Sequence, residues 1–316
     1  METVSSLLYC QIIPRVSLIN SFLRHVAGFQ CLLKNNILPR AVAGSIPIKN
    51  YLASVNGGHA SFWTIARDDF FAAYEQKSTT QLDPDDVTLW SAAGLQLSNE
   101  GLLTSPAYTT TTNVCHTRED DACRRLVWIL VKSTSSLAVR SRVNWHDTWN
   151  GLRSSLLEWH QSLPSSFAPY ASLARRKHGS GMDHTDWRAC FPQQFFNLSM
   201  CAAALQLYHF AQVLLLINWP MDMDKEGIDR LRMIRRVSQE SEYHGRQICG
   251  IALGLDNCPQ IRDQMVLPLY LAGICLEGNE DLAAVVKLLR EIQVQSGHAT
   301  AERVTRLISA AGWNHG

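Results

Sequence analysis

Four groups of side chains in this sequence are of a type and spacing that could carry chemistry. His178, Asp183, His184 and Asp186 lie close together and offer nitrogen and oxygen ligands to a metal ion. They fall beside Gly179, Ser180 and Gly181, with no helix or strand to hold them. Their spacing matches no closed coordination shell, so they read as a solvated loop and no metal site is expected. Trp145-His146-Asp147 sets an imidazole beside a carboxylate. Adjacent residues on a helix point apart, so no direct proton relay follows. Arg230, Arg232, Arg235 and Arg236 form the most basic helical stretch, and positions 232, 235 and 236 share a face that could meet phosphates. Glu226, Asp229 and Glu240 flank them, and the pattern reads as a solvated face with ion pairs along the helix. Gln206 and His209, with Tyr208 between them, interrupt an otherwise apolar helical run. Buried polar groups must find partners. These two therefore either hydrogen-bond across a core or line an internal cavity for a small ligand or partner.

The nine cysteines are scattered, and no two stand as C-x-x-C. A zinc finger, ribbon or binuclear cluster needs thiolates from one short turn, so a structural zinc is not expected. An odd count spread through apolar segments such as Ser199-Met200-Cys201-Ala202 reads as reduced thiols acting as small hydrophobes in a reducing compartment. G-x-S-x-G, H-E-x-x-H, the Walker loop and G-x-G-x-x-G do not occur, which removes the readily recognised hydrolases, zincins, P-loop enzymes and dinucleotide binders. No catalytic, metal-binding or DNA-binding residue is assigned, and no cofactor is expected. Asn197-Leu198-Ser199 matches a glycosylation sequon but stands where an apolar helix begins, and carries no functional reading.

The chain has 316 residues, 46% of them hydrophobic and 18% charged, with a formal net charge of +1. That composition excludes a wholly disordered protein and the usual strongly basic nucleic-acid binder. The length suits one large domain or two ordinary ones. The N-terminus lacks the positive n-region of a secretory signal. Arg15, Arg24, Lys34 and Arg40 punctuate its apolar residues and read as an amphipathic helix, a mitochondrial transit peptide being the other reading. The most membrane-like run, Leu198 to Trp219, contains Gln206, His209, Gln212 and Asn218 and reads as a buried core helix, so no membrane partner is expected.

Helical periodicity runs through nearly the whole sequence. Helices are expected over 15–34, 59–76, 89–97, from Asp120 onward, 145–160, 195–217, 226–253 and 259–276. Two more follow over 280–312, divided at Gly297. Residues 104–119 and 171–189 are polar and read as flexible insertions. Alternating strand patterns and hairpin turns are missing, so the expected class is all-α: one multi-helix domain over 1–316 with two polar loop insertions.

The stretch His59-Ala60-Ser61-Phe62-Trp63-Thr64-Ile65-Ala66-Arg67-Asp68-Asp69-Phe70 resembles the A-x-F-W-x-x-x-R-x-D segment in the regulatory region of fungal zinc-cluster transcription factors. Cys123-Arg124-Arg125-Leu126-Val127-Trp128 resembles the family's helix before its polar insertion. Trp149-Asn150-Gly151-Leu152, Leu156-Leu157-Glu158-Trp159 and Leu163-Pro164-Ser165-Ser166-Phe167-Ala168-Pro169 resemble its W-x-x-L…L-x-x-W…L-P-x-x-F-x-P run. Cys249-Gly250-Ile251-Ala252 and Gln264-Met265-Val266-Leu267-Pro268-Leu269 resemble its closing helices. The order of these motifs spans about residues 5–312.

The resemblance implies a helical regulatory region (the middle homology and C-terminal part) of a nuclear transcription factor. It would act through other transcription-regulatory proteins or a small effector. Trp63, Arg67, Asp69 and Trp159 would be structural, with Phe62, Phe70 and Tyr74 anchoring the first helix and Arg67 pairing an acid on a neighbouring helix. The six-cysteine cluster is missing, so direct sequence-specific DNA binding by this chain is not expected. A gene product that lost its DNA-binding exon is a further reading. The rival class is an all-α metabolite-binding protein or enzyme, cytoplasmic by default, with a cavity near Gln206 and His209.

Overall fold

The computed structural model describes residues 58–98, 101–104, 117–140, 144–175, 187–220, 227–255 and 258–312. The helix expected over 15–34 lies outside these residues, as do His178, Asp183, His184, Asp186 and the middle of both expected insertions. The fold is all-α. The chain, read from sequence as one domain, divides into two compact units at Gln161/Ser162.

The first unit holds α1 (Gly58–Gln76), α2 (Val87–Ala92), α3 (Arg118–Ala138) and α4 (Trp145–Gln161), with α1 packed on α3 and α3 on α4. Phe62, Ala66, Phe70 and Ala73 form a buried stripe along α1 at the three- and four-residue spacing of one helical face. The short α2 is capped by Asp86, which accepts from the Leu89 amide at 3.0 Å. It stops at Ala92, earlier than expected, because Gly94 turns the chain with φ of 94° and Leu97 then bridges to Leu103. Helix α3 begins at Arg118, two residues before the acidic run suggested. Thr117 and Asp120 form a reciprocal capping box, each side chain accepting from the other's amide at 3.2 Å. Arg118 and Glu119, expected within the first polar insertion, are therefore helical.

The second unit holds β1 (Ala171–Leu173), β2 (Gln193–Phe195), α5 (Ser199–Ile217), α6 (Gly227–Gly254), α7 (Pro259–Arg262), α8 (Val266–Cys275), α9 (Asn279–Ser296) and α10 (Ala301–Ala310). Helix α5 is mostly apolar and nearly all its residues are buried, Gln206, His209 and Gln212 among them, as a helix surrounded by protein must be. Helix α6 packs on α5, α8 and β2; α8 in turn meets α9 and α10.

Two departures from the expected helices have local causes. The stretch 259–276 is broken into α7, a 3-10 turn (Asp263–Met265) and α8. Pro268 has no N–H and is accommodated in the first turn of α8, where amides lack helical partners anyway. Residues 171–173, expected as part of a flexible insertion, form β1, paired antiparallel to β2 with Ala171 opposite Phe195 and Leu173 opposite Gln193. Trp187–Cys190, at the other end of that segment, is a 3-10 turn. The ribbon lies against α6 at two glycines one turn apart. A Cβ on Gly250 would overlap the Pro192 carbonyl, and one on Gly254 the Gln194 carbonyl. Only glycine permits backbone contact that close.

Candidate functional site

Gln206 and His209 sit on the face of α5 that meets α6. Gln206 is buried, and its Nε2 donates to the Ile248 carbonyl at 3.1 Å. His209 is also buried. Its Nδ1 stands 2.8 Å from Nδ1 of His244 on α6, a distance that requires one ring to donate and the other to accept. Tyr208 meets the His209 ring edge-on at 5.2 Å, and Tyr243 meets the His244 ring likewise at 5.2 Å. Across the seam the His209 and His244 rings lie 5.1 Å apart, with Tyr208 meeting His244 and Tyr243 meeting His209 edge-on at 6.4 Å, so four rings line the α5–α6 contact. The sequence pointed to Gln206 and His209 but missed His244, which lies 35 residues away and carries no local signal. Among the described residues no group of three or more His, Cys, Asp or Glu is placed to hold a metal ion.

The motif residues of α1 converge on the turn-rich segment 78–86. Asp69 is fully buried; its Oδ1 accepts from the Gln81 amide at 3.0 Å and its Oδ2 from the Leu82 amide at 2.8 Å. Burial pushes its carboxyl up from the ordinary range, against the two amide hydrogen bonds that pull it down. Further along the same segment, Trp90 Nε1 donates to the Asp83 carbonyl at 2.8 Å and Trp128 Nε1 to the Pro84 carbonyl at 3.1 Å. Thr80 and Ser135 share a buried hydroxyl contact at 2.6 Å. Three elements therefore hold one loop, and α1 does so through the Asp69 carboxylate and the Ala73 carbonyl, which accepts from the Ser78 amide at 3.0 Å.

Trp63 donates to the Ala93 carbonyl at 3.3 Å, packs edge-on against Phe62 and lies 5.8 Å from the Trp90 ring. Arg67 meets Asp68 on its own helix at 3.5 Å rather than an acid on a neighbouring one. Trp159 donates to the Ala122 carbonyl at 2.7 Å, pinning α4 to α3.

The remaining candidates are dispersed. His146 Nδ1 and Asp147 Oδ1 are 3.7 Å apart and exposed, beyond hydrogen-bond reach. Arg232 meets Asp229 at 3.3 Å and Arg236 meets Glu240 at 2.8 Å, both along α6. Asn197 and Leu198 are exposed just before α5.

One buried ionic group escaped the sequence reading. Asp281, in the first turn of α9, receives Arg246 of α6 at 2.7 Å and Arg175 at 3.4 Å, while Arg246 also meets Glu242 at 2.6 Å. Burial opposes the Arg246 charge, yet hydrogen bonds to Glu242 and Asp281 outweigh it and raise the guanidinium's affinity for its proton. Asp281 lies in an acidic helix start, which accounts for its position but not for partners far away in sequence.

No family model matches the sequence, and no solved structure matches it. The chain is 32% identical over 293 residues to the Transcription activator AMTR1 of Alternaria alternata. That match covers 86% of this chain and 38% of the relative, so the chain spans well under half the length of the protein it resembles.

Proposed function

We propose that the chain is a helical regulatory region of a fungal transcription regulator, working in the nucleus through protein partners or a small effector and not through a zinc cluster of its own. The observation that carries this is the 32% identity to a fungal transcription activator across 86% of the chain. The ordered motifs from His59 to Leu269 support the same reading, as does an all-α architecture whose motif residues serve packing and loop anchoring. A regulatory rather than catalytic role is the reading that the relative's name supports, and the partners of Gln206 and His209 across the α5–α6 seam give both residues a packing role.

The test is to tether the chain to a promoter through an unrelated DNA-binding domain and measure reporter output. A change of several-fold relative to the tether alone is expected, and an unchanged output sinks the proposal. Separately, the isolated chain is expected to show no sequence-selective DNA binding. Tight, salt-sensitive, selective binding would show that a DNA-reading surface exists elsewhere in it.

A further inference from the structure

One hydroxyl of the second unit has the neighbours of a phosphate acceptor. Gly245 of α6 faces the Ala272 backbone of α8, and earlier on α6 the exposed Ser238 Oγ donates to Glu277 Oε1 at 3.0 Å. The two contacts run in opposite directions along the chain, so α6 and α8 are antiparallel and Ser238 meets the link between α8 and α9. Immediately before Ser238 stand Arg235, Arg236 and Val237. Guanidiniums at the third and second positions before a serine are the charge pattern that a basophilic kinase reads with carboxylates in its substrate cleft. Arg235 is exposed and has no ion-pair or hydrogen-bond partner among the described residues. Arg236 meets Glu240 at 2.8 Å along the exposed helix, where such a pair is worth little. Ser309 also follows an arginine by three residues, but Leu307 and Ile308 between them are buried and out of a kinase's reach.

A kinase cleft takes the residues around its acceptor as an extended segment, so the first turns of α6 must open. The burial pattern permits this. No residue of α6 before Ser241 is buried, and Ile228, Leu231 and Ile234 are 68%, 67% and 51% exposed. A helical stretch without buried side chains has little beyond its own hydrogen bonds to hold it, and it frays at low cost. The packed part of the helix, from Ser241 onward, can stay in place meanwhile.

We propose that Ser238 is a phosphorylation site for a basophilic serine kinase, and that its phosphate releases α6 from Glu277. The γ-phosphoryl group of ATP passes to Ser238 Oγ as its bond to the β-phosphate oxygen breaks, and ADP and the hydroxyl proton leave. The phosphoserine carries a charge of about −1.5 to −2 at pH 7. A hydroxyl donating to a carboxylate thus becomes one anion facing another. Glu242, four residues on, is held by Arg246 at 2.6 Å. Arg235, one turn back, offers the phosphate a new partner on its own helix. The exchange trades a contact between α6 and the α8–α9 link for one within α6.

The test incubates the whole 316-residue chain with a purified kinase of that preference and labelled ATP, beside a peptide of residues 232–244. Mass spectrometry maps the phosphate. Ser238 of the chain is expected to be filled, more slowly than in the peptide, which needs no opening. Arg235→Ala/Arg236→Ala is expected to slow the reaction at least about tenfold, since each guanidinium takes its charge-assisted hydrogen bonds with it. Ser238→Ala is expected to lose that label. In the phosphorylated chain, amide exchange is expected to quicken around Ser238 and over 277–281. Glu277→Gln should blunt the change, because a neutral amide does not repel the phosphate. Circular dichroism reports whether each variant keeps its helix content. A labelled peptide beside an unlabelled chain overturns the proposal. So does phosphate found only on other residues, or an arginine variant labelled at the wild-type rate. Exchange over 277–281 that phosphate leaves unaltered overturns the release from Glu277.

Discussion

Replacing Asp69 tests whether one carboxylate holds the 78–86 segment to α1. In Asp69→Ala the Leu82 amide, buried and bonded at 2.8 Å, loses its acceptor; a stranded buried donor costs about 1–3 kcal/mol. The Gln81 amide is only part-buried and can turn to water, so its loss adds about 1 kcal/mol or less. The expected cost is about 1–4 kcal/mol, read by urea unfolding of the whole chain. Amide exchange at Leu82 should accelerate together with the loss of stability. Asp69→Asn keeps the shape and one acceptor and should cost less than Ala.

A pH series then decides which influence dominates the carboxyl. Because burial raises it above the ordinary value of 3.8, the folded chain keeps that proton to higher pH than the unfolded chain. The side chain's contribution is then fully present below the unfolded value and is lost as pH rises through the raised folded value. The penalty of Asp69→Asn should accordingly shrink as pH rises above the ordinary carboxyl value of 3.8. An Ala cost under about 1 kcal/mol with Leu82 still protected would refute the anchoring argument. A penalty of Asp69→Asn that grows with pH would show that the amide hydrogen bonds outweigh burial.

Gly250→Ala and Gly254→Ala should each destabilise the second unit by about 3 kcal/mol or more in thermal or urea unfolding, since the added methyl meets backbone that cannot swing aside. A cost below about 1 kcal/mol would mean the ribbon can lift off α6. Thr117→Ala removes one half of the α3 capping box and should cost about 1 kcal/mol, with fraying at Arg118–Asp121 visible by amide exchange. Burial pushes the Cys275 thiol up to about 11 and the fully buried Cys249 further still. Iodoacetamide at pH 8 should therefore modify Cys275 roughly a hundredfold more slowly than an ordinary thiol, and Cys249 only after unfolding. Rapid labelling of Cys249 in the native chain would contradict its place in the core.

Where hydrophobic spacing and punctuation agreed, the sequence was a close guide. The stripe from Phe62 to Tyr74 gave α1, Trp149 to Trp159 marked α4, and Gly297, at φ of 73°, separated α9 from α10. Boundaries that depend on side-chain reciprocity were less visible, as with Thr117 and Asp120 at the start of α3. The β1–β2 ribbon was illegible because three-residue strands show no periodicity and take their place from two glycines some 60 residues downstream. Candidate polar residues followed the same division. Gln206 and His209 stood out by interrupting an apolar run. Their partners Ile248 and His244, and the Arg246–Asp281 pair, are joined only by the register of packed helices.

Helix α6 is continuous for 28 residues, about 42 Å, with no proline inside it. Its C-terminal end is seated against the ribbon at Gly250 and Gly254, and near its start Ile228, Leu231 and Ile234 are exposed. Such a rod bends little over its length. Held at the His209–His244 contact and again where Gly250 and Gly254 meet the ribbon, the rod ties α5 and the ribbon to one position, so neither can shift without carrying α6 along.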